Sequence, residues 1–224
     1  MSKGVIGVSA AEQGRYTSFW ASYSGMYKPD HIAVFPTSSN IAENRNTITQ
    51  VMLDSGADWV FYLDDDHILP QDILIRLLEA DKPIISAHYT QRQPPFGPVL
   101  MQYELPTGGF LKKFLSPNET GIIEVAAVGS GCLLVKREVI EALQPPYWTL
   151  GQLNPASWGD DLHFCSRVRA AGFPIYCDLG ATIGHTMSGV VWPAHVEGKG
   201  WVANFGRDPQ DPPIAQWPMP MSDI

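Results

Sequence analysis

The sequence predicts an α/β fold in which a mixed sheet carries helices on both of its faces. The first half of the 224-residue chain alternates short apolar segments with helical patterns, and this alternation is typical of parallel strands joined by helices. The apolar segments are nearly continuous, as expected for strands buried on both faces. The second half is richer in proline, glycine and short alternating segments, which favours antiparallel strands and therefore a mixed sheet.

The elements of the first half can be placed in order. Four apolar runs predict strands, at Val5–Ser9, His31–Phe35, Asp58–Leu63 and Pro83–Ala87. Asn40 can cap a helix ahead of the third strand. The apolar residues of this helix share one face at 3.6 residues per turn: Ile41, Ile48, Val51 and Met52. Pro70 indicates the start of another helix ahead of the fourth strand.

The second half is predicted as antiparallel strands followed by two helices. The apolar run Val125–Val135 contains two glycines and precedes a helix over Lys136–Leu143. A second helix is expected over Gly159–Ala171, where glycine and proline stop the pattern. Residues 1–192 are therefore predicted to form one domain. Residues 193–224 show little periodicity and are predicted as an extended C-terminal tail packed on that domain, with disorder as the alternative.

Composition excludes several classes of protein. Fifteen Lys and Arg against 23 Asp and Glu give a net charge of −8, which argues against general affinity for a phosphate backbone. No apolar run approaches the length of a membrane span, and the first residues do not resemble a signal peptide, so a soluble, cytoplasmic protein is expected. Three cysteines without C-x-x-C spacing predict small buried residues rather than disulfides or a zinc site.

Three adjacent carboxylates follow the third predicted strand. Asp64, Asp65 and Asp66 stand at its carboxyl end, which is where open α/β sheets bind ligands. Oxygen ligands at this spacing suit Mg²⁺ or Mn²⁺ shared with a phosphate. Neighbouring side chains in an extended chain point to opposite faces, so Asp64 and Asp66 can converge while Asp65 points elsewhere. The alternative is an acidic turn that caps the next helix.

Further candidates lie in the second half of the chain. Asp160 and Asp161 fall in the first turn of a predicted helix, where one can cap the helix and the other can act as a general base. His185 ends an apolar segment and can add an imidazole ligand to a metal held by Asp64 and Asp66, with a purely structural histidine as the alternative.

Two features of the sequence admit both a functional and a structural interpretation. Gly129, Ser130 and Gly131 allow the backbone to approach a ligand closely or allow a strand to bulge. Arg45 can meet a phosphate or a base, or be solvated. The fingerprints of dinucleotide-binding, P-loop and α/β-hydrolase sites are not found in the sequence.

Taken together, these segments resemble nucleotide-sugar-dependent glycosyltransferases of the GT-A fold, in particular the family-2-like group. The resemblance covers about residues 4 to 187. It rests on the order and spacing of several segments rather than on the D-x-D motif alone. The segments are Asn44–Asn46, Asp58–Pro70, Pro83–Tyr89 with Arg92, Val128–Arg137, Gly159–Cys165 with Arg167, and Gly184–His185.

The resemblance implies a Rossmann-like mixed sheet and a set of site residues. Asp64, Asp66 and His185 would surround Mn²⁺ or Mg²⁺, and Asp161 would be the base that takes the proton of the acceptor. Asp160 stands where the family has glutamate, which leaves open whether Asp160 or Asp161 faces the acceptor. The resemblance also implies contacts to the nucleotide sugar from Ser9, Arg45, Asn46 and Asp65. Contacts to substrate are expected from Tyr89, Arg92, Gly129, Ser130, Gly131 and Trp158.

The resemblance implies transfer of a sugar from a nucleotide-diphosphate donor of the UDP or GDP type to an acceptor hydroxyl. The acceptor is open among a glycan, a small molecule, a protein and a modified nucleobase in DNA. A nucleotidyltransferase on a similar sheet is one alternative, and a non-catalytic sugar- or nucleotide-binding module is another. The oligomeric state cannot be read from the sequence.

Overall fold

A computed structural model of the chain describes residues 3–10, 16–92, 95–104, 109–153, 156–187, 190–206 and 212–219. Its helices are α1 Thr17–Gly25, α2 Ile41–Asp54, α3 Ile73–Glu79, α4 Arg137–Glu141 and α5 Asp160–Ala170. Its first nine strands are β1 Gly4–Ser9, β2 His31–Val34, β3 Trp59–Asp64, β4 His67–Ile68, β5 Ile84–His88, β6 Leu100–Glu104, β7 Phe110–Lys112, β8 Ile122–Val125 and β9 Ala127–Val128. The remaining strands are β10 Cys132–Lys136, β11 Gly151–Leu153, β12 Ala156–Trp158, β13 Ile175–Thr182, β14 Gly184–Thr186, β15 Val190–Val196, β16 Gly200–Gly206 and β17 Ala215–Pro218.

The central sheet has seven strands in the order β2-β1-β3-β10-β5-β13-β8. β1 runs parallel to β2 and β3, and β13 runs parallel to β5. β10 is antiparallel to both β3 and β5, between which it lies, and β8 is antiparallel to β13. The predicted mixed α/β sheet is therefore confirmed. The antiparallel strand β10 carries the apolar run that follows the glycine pair.

Helices cover both faces of this sheet. Alternate residues of β3 belong to two separate apolar clusters, with Val60 and Tyr62 on one face and Phe61 and Leu63 on the other. The first cluster includes residues of α2, α4 and α5, whereas the second includes residues of α1 and α3. Burial of β3 on both faces explains why its sequence is continuously apolar.

Two helices differ in detail from the prediction. Asn40 does cap α2, since its side chain accepts hydrogen bonds from the amides of Ala42 and Glu43. Ile41, which was expected on the buried face, is 40% exposed, because the buried face of α2 is centred on Arg45, Ile48 and Met52. The helix expected to start at Pro70 begins at Ile73 instead, after a turn in which the amide of Ile73 donates to the carbonyl of Pro70.

Beyond the central sheet lies a five-stranded antiparallel sheet in the order β17-β16-β15-β14-β4. Its strands β15, β16 and β17 form regular structure where the sequence had predicted an extended tail. β15 continues across the predicted boundary at residue 192, although the division of the chain into domains stays a prediction. Proline, glycine and tryptophan interrupt the alternation in these strands, which hides them from a search for periodicity.

The remaining strands form two small sheets. β6 pairs with β7 and β9, and β11 pairs with β12. All three cysteines are buried and none is in a disulfide, as predicted. Among the described helices, none has both the length and the apolar character needed to cross a bilayer.

Candidate active site

A cleft of about 520 Å³ opens at the carboxyl end of β3. It brings together four residues that the sequence singled out for metal binding or catalysis, together with Tyr89 and Arg92. Its walls are formed by Asp64, Asp66, His67, Tyr89, Gln91, Arg92, Val99, Asp161 and His185. This is the edge of the sheet where the topology of open α/β folds places ligands.

Asp66 lies in the turn between β3 and β4, and its carboxylate faces Arg92 and His185. Its Oδ2 atom lies 3.0 Å from Arg92 Nη1 and 3.6 Å from His185 Nε2. Burial alone would raise the pKa of Asp66, but its contacts with His185 and the charge of Arg92 hold this pKa well below its ordinary value. Asp66 is therefore an ionised carboxylate in the wall of the cleft.

His185 is oriented by a backbone carbonyl. Its Nδ1 lies 2.7 Å from the carbonyl oxygen of Thr90, and because a carbonyl can only accept, Nδ1 carries the proton. The other ring nitrogen, Nε2, faces the carboxylate of Asp66. A carbonyl on one ring nitrogen is the usual way in which proteins orient a histidine that binds metal through the other.

His67 is a cleft residue that sequence reasoning did not select. It is 1% exposed and packs against Tyr89 and His185 with ring centroids 4.7 and 4.6 Å away. Burial, together with the nearby His185, lowers the pKa of His67 to about 4, so this ring is neutral. The available signal was its position directly after the three aspartates, but its proximity to His185 depends on a strand pairing distant in sequence.

Three of these side chains could hold a metal ion. Within the described ranges, donor atoms of Asp66, His67 and His185 all lie within 4.8 Å of one another. Asp64, which was predicted as a metal ligand, lines the same cleft but is outside this group, and its Oδ1 accepts a hydrogen bond from Arg45 at 2.8 Å. The predicted ligand set of Asp64, Asp66 and His185 stays a prediction.

Arg45 is buried below the cleft rather than solvated. Its guanidinium donates to Asp64 and to Asp160, the latter at 2.6 Å, and lies 5.3 Å from the ring centre of Trp148. Burial alone would lower the pKa of Arg45, but the charges of Asp64 and Asp160 outweigh it and raise this pKa. Arg45 thus joins the end of β3 to the start of α5.

The two aspartates at the start of α5 have different environments. Asp160 is 5% exposed and pairs with Arg45, whereas Asp161 lines the cleft. Asp161 Oδ1 accepts a hydrogen bond from the amide of Leu162 at 2.8 Å. Burial, with a contribution from the charges of Asp160 and Asp64, raises the pKa of Asp161. A carboxylate with a raised pKa that faces a cleft is suited to accept a proton.

The other residues predicted to contact the nucleotide sugar lie off the cleft walls. Asn46 is engaged by the backbone: its Oδ1 accepts from the amides of Tyr147 and Trp148, and its Nδ2 donates to the carbonyl of Trp148. Ser9 is 7% exposed at the end of β1, next to Asp64 in the strand register, and Asp65 is fully buried. The nucleotide contacts predicted for these residues stay predictions.

The glycine pair before β10 makes room for cleft side chains. A Cβ at Gly129 would lie 2.1 Å from the Tyr89 hydroxyl, and one at Gly131 would lie 2.3 Å from Cε1 of His67. The amide of Gly131 also donates to the Tyr89 hydroxyl at 3.2 Å. Ser130 between them is 3% exposed. Trp158, also predicted to contact substrate, ends β12, but its side chain lies outside the described part of the structure.

The chain matches no known protein family and no curated protein. Among solved structures it is similar to A197 from STIV, with a TM-score of 0.57 and 14% identity over 86% of this chain and 89% of A197. It is also similar to S. aureus TarS (TM-score 0.46, 11% identity, 80% of this chain and 60% of that one). For a UDP-glucose pyrophosphorylase in complex with UDP-glucose, the TM-score is 0.45 and the identity 10%, over 80% of this chain and 90% of that one. The similarity to A197 extends to the fold alone.

Proposed function

We propose that the protein is a metal-dependent glycosyltransferase that moves a sugar from a nucleotide-diphosphate sugar to an acceptor hydroxyl. The observation that carries the proposal is the composition of the cleft, where Asp161 shares one space with Asp66 and His185. Sugar transfer from a diphosphate needs two functions in one cleft, a cation site for the leaving group and a base for the acceptor. These residues are suited to the two functions.

The side chains of the cleft fit a divalent cation. Asp66 offers an ionised carboxylate, and His185 offers the Nε2 atom of a ring fixed by Thr90, which a cation would bind in place of a proton. A cation held by Asp66 and His185 would neutralise the charge that develops on the diphosphate as it leaves. The cleft has an acidic wall, so an anionic donor needs such a positive charge to bind there.

Asp161 is assigned the proton transfer. Its carboxylate accepts the proton of the acceptor hydroxyl while the acceptor oxygen forms a bond to the anomeric carbon of the donor sugar. The bond from that carbon to the phosphate oxygen breaks, and its electron pair leaves with the nucleoside diphosphate. Because the pKa of Asp161 is raised, the carboxylate is a stronger base than an exposed aspartate.

Asp160 and Arg45 are positioning residues in this proposal. Asp160 is held by Arg45, which fixes the first turn of α5 and so the position of its neighbour Asp161. Arg92 has a half-exposed side chain on Asp66, and it could contact the diphosphate if Asp66 held a cation. In this proposal Asp160 therefore positions the start of α5, and Asp161 transfers the proton.

The first test is calorimetric titration of a panel of nucleoside diphosphates, with Mn²⁺ and with EDTA. We expect one nucleotide to bind only with the metal, and Asp66→Ala to abolish that binding. Asp72→Ala is the matched control, since Asp72 is exposed and does not line the cleft. The nucleotide that binds identifies the donor base, and release of nucleoside diphosphate from the corresponding nucleotide sugars then measures turnover.

Three results would count against the proposal. Nucleotide binding that survives both EDTA and Asp66→Ala would remove the metal from the mechanism. Binding without release of nucleoside diphosphate from any nucleotide sugar or acceptor tested would favour a binding module. Transfer of a nucleoside monophosphate from a nucleoside triphosphate to a sugar phosphate, with release of pyrophosphate, would identify a nucleotidyltransferase instead.

A further inference from the structure

We infer that His67 is the third protein ligand of the metal site, with Asp66 and His185, and that the site therefore selects a transition metal over Mg²⁺. The inference deepens the proposed function and rests on it for the metal's role in turnover. The ligand set itself can be measured without any nucleotide. In this ligand set His67, which directly follows the three aspartates, takes the place of the Asp64 predicted from the sequence.

The strand pairing places the two histidines side by side. β4 and β14 are antiparallel neighbours, and His67 is the register partner of His185. Directly opposed residues of such a pair project from the same face of the sheet. Their rings accordingly stack at 4.6 Å with an interplanar angle of 30°. The amide of Thr186 donates to the carbonyl of Asp66 at 2.8 Å, which holds the aspartate beside both rings.

His67 lacks the hydrogen bonds that a buried structural histidine is expected to make. It is 1% exposed, and among the described residues neither ring nitrogen has a well-aligned hydrogen-bond partner, apart from a poorly aligned contact with the backbone of Asp64. Its Nδ1 lies 3.5 Å from Asp66 Oδ1. Burying an imidazole without partners is costly. A metal bound by the ring would satisfy the nitrogen that faces Asp66.

Asp64 is a weaker candidate because Arg45 already holds it. Its Oδ1 accepts from a guanidinium that is 3% exposed, and that contact continues to Asp160. If Asp64 bound a cation instead, the buried guanidinium of Arg45 would lose one of its carboxylate partners, and an uncompensated buried charge is costly. The donor atoms of Asp66, His67 and His185 are within 4.8 Å of one another without such a loss.

Two imidazoles and one carboxylate set the choice of metal. Mg²⁺ prefers oxygen ligands and keeps several waters, whereas imidazole favours later divalent metals. For one such site, affinity rises in the order Mn²⁺, Co²⁺, Zn²⁺, and Mg²⁺ is expected to be weaker than all three. A site with two carboxylates and one imidazole would discriminate less strongly against Mg²⁺.

X-ray absorption of the wild-type protein loaded with Zn²⁺ counts the ligands directly and needs no variant. We expect scattering from two imidazole rings per metal. A single imidazole ring would overturn the inference. The result is independent of whether any substituted protein folds.

Calorimetric titration with Co²⁺ and with Mg²⁺, in the absence of nucleotide, tests the same set by substitution. We expect His67→Gln to weaken Co²⁺ binding at least ~10-fold, because even the loss of a residue that only orients a metal ligand typically lowers metal affinity by that factor. His88→Gln is the control, since His88 is also fully buried and without aligned partners, and it should change the affinity less than ~2-fold, because it contributes no ligand. Unchanged binding in His67→Gln, or tighter Mg²⁺ than Co²⁺ binding in the wild type, would overturn the inference.

The two proposals fail in distinguishable ways. If Asp64→Asn abolishes metal binding and His67→Gln does not, the ligand set is wrong while the transferase can stand. If the wild type binds no divalent metal, the inference fails whether or not transfer occurs in EDTA. If His67 is required for Co²⁺ but no nucleotide sugar is turned over, the metal site stands and the transferase fails.

Discussion

Arg45 Nη1 lies 2.6 Å from Asp160 Oδ2, although the two residues are 115 positions apart in the chain. The contact joins α2 to the first turn of α5 beneath the cleft. Both side chains are almost entirely buried, so the pair contributes mainly by leaving neither charge alone inside the protein. It also fixes the residue next to Asp160, which is the carboxylate that faces the cleft.

We expect Asp160→Asn to destabilise the protein strongly. Removing one partner of a buried ion pair leaves a charge without compensation, and this typically costs about 3 to 5 kcal/mol. The residual contact of Arg45 with Asp64 places the expected loss near the lower end of that range. The free energy of unfolding from urea denaturation measures it.

Glu141→Gln is the matched control for this substitution. Glu141 pairs with Arg137 at 2.9 Å, but its side chain is 54% exposed. Exposed pairs contribute about 0 to 1 kcal/mol. Equal losses in the two variants would show that burial of Arg45 and Asp160 does not matter to stability.

Asp161→Asn is expected to abolish transfer and to stabilise the fold at neutral pH. The pKa of Asp161 is raised in the folded state, so its ionised form is less favourable there than in the unfolded chain. Asparagine keeps the oxygen that accepts from Leu162 and removes the charge. We expect the melting temperature at pH 7 to rise, and each kcal/mol gained would appear as about 2 to 4 °C in a domain of this size.

The pH dependence gives the sign of this effect. A carboxylate whose pKa is raised on folding favours the folded state below its unfolded pKa, and this contribution is lost as pH rises through the folded pKa. The advantage of Asp161→Asn should therefore be present at pH 7 and disappear below about pH 4, the ordinary aspartate value. A variant less stable than wild type at pH 7 would contradict the raised pKa.

Asn46→Ala is expected to loosen the segment that carries Trp148. The substitution removes three hydrogen bonds to the backbone of Tyr147 and Trp148. Leaving such groups unpaired costs about 1 to 3 kcal/mol, measurable by denaturation. Gln50→Ala on the same helix is the control, because Gln50 is exposed and bonds only to Asp54 among the described contacts.

The same variant separates anchoring from nucleotide contact. An anchoring role predicts a loss of stability with nucleotide affinity changed less than ~3-fold, because no contact to the ligand is removed. A loss of affinity above ~10-fold, about 1.4 kcal/mol, in a protein that remains folded would establish the nucleotide contact that the sequence resemblance implies.

Gly131→Ala is expected to disturb the cleft through His67. A Cβ at this position would lie 2.3 Å from His67 Cε1 and 3.2 Å from Asp64 Oδ2. Overpacking of this kind costs about 1 to 3 kcal/mol, and displacement of His67 should weaken metal binding in calorimetry. Gly25→Ala is the control, since its nearest new contact would be an ordinary 3.8 Å from Gln71 Nε2. Similar metal affinities in the two variants would place His67 outside the metal site.

Local patterns in the sequence were sufficient for the first strands of the central sheet and for α2, but they predicted neither α1 nor the central strand β13. The apolar run ending at Asp64 became β3, and Asn40 caps α2 through its own side chain. These features depend on neighbours in the chain, so propensity and periodicity record them. The burial of Arg45 is different, because it requires Asp64 and Asp160 to approach from two other elements.

The least predictable residue of the site was His67. Only the pairing of β4 with β14 reveals its relation to His185. A two-residue strand leaves no periodic trace in the sequence. The sequence likewise left open whether Asp160 or Asp161 faces the acceptor, since the buried partner of Asp160, Arg45, comes from a distant element.

The pairing of β4 with β14 also determines when the proposed metal site can form during synthesis. His67 leaves the ribosome well before His185, and β14 is held on its other side by β15. Until those later strands arrive, the early part of the chain carries the aspartates without the second imidazole. The proposed metal site should therefore form in one late step, after β14 has paired with β4.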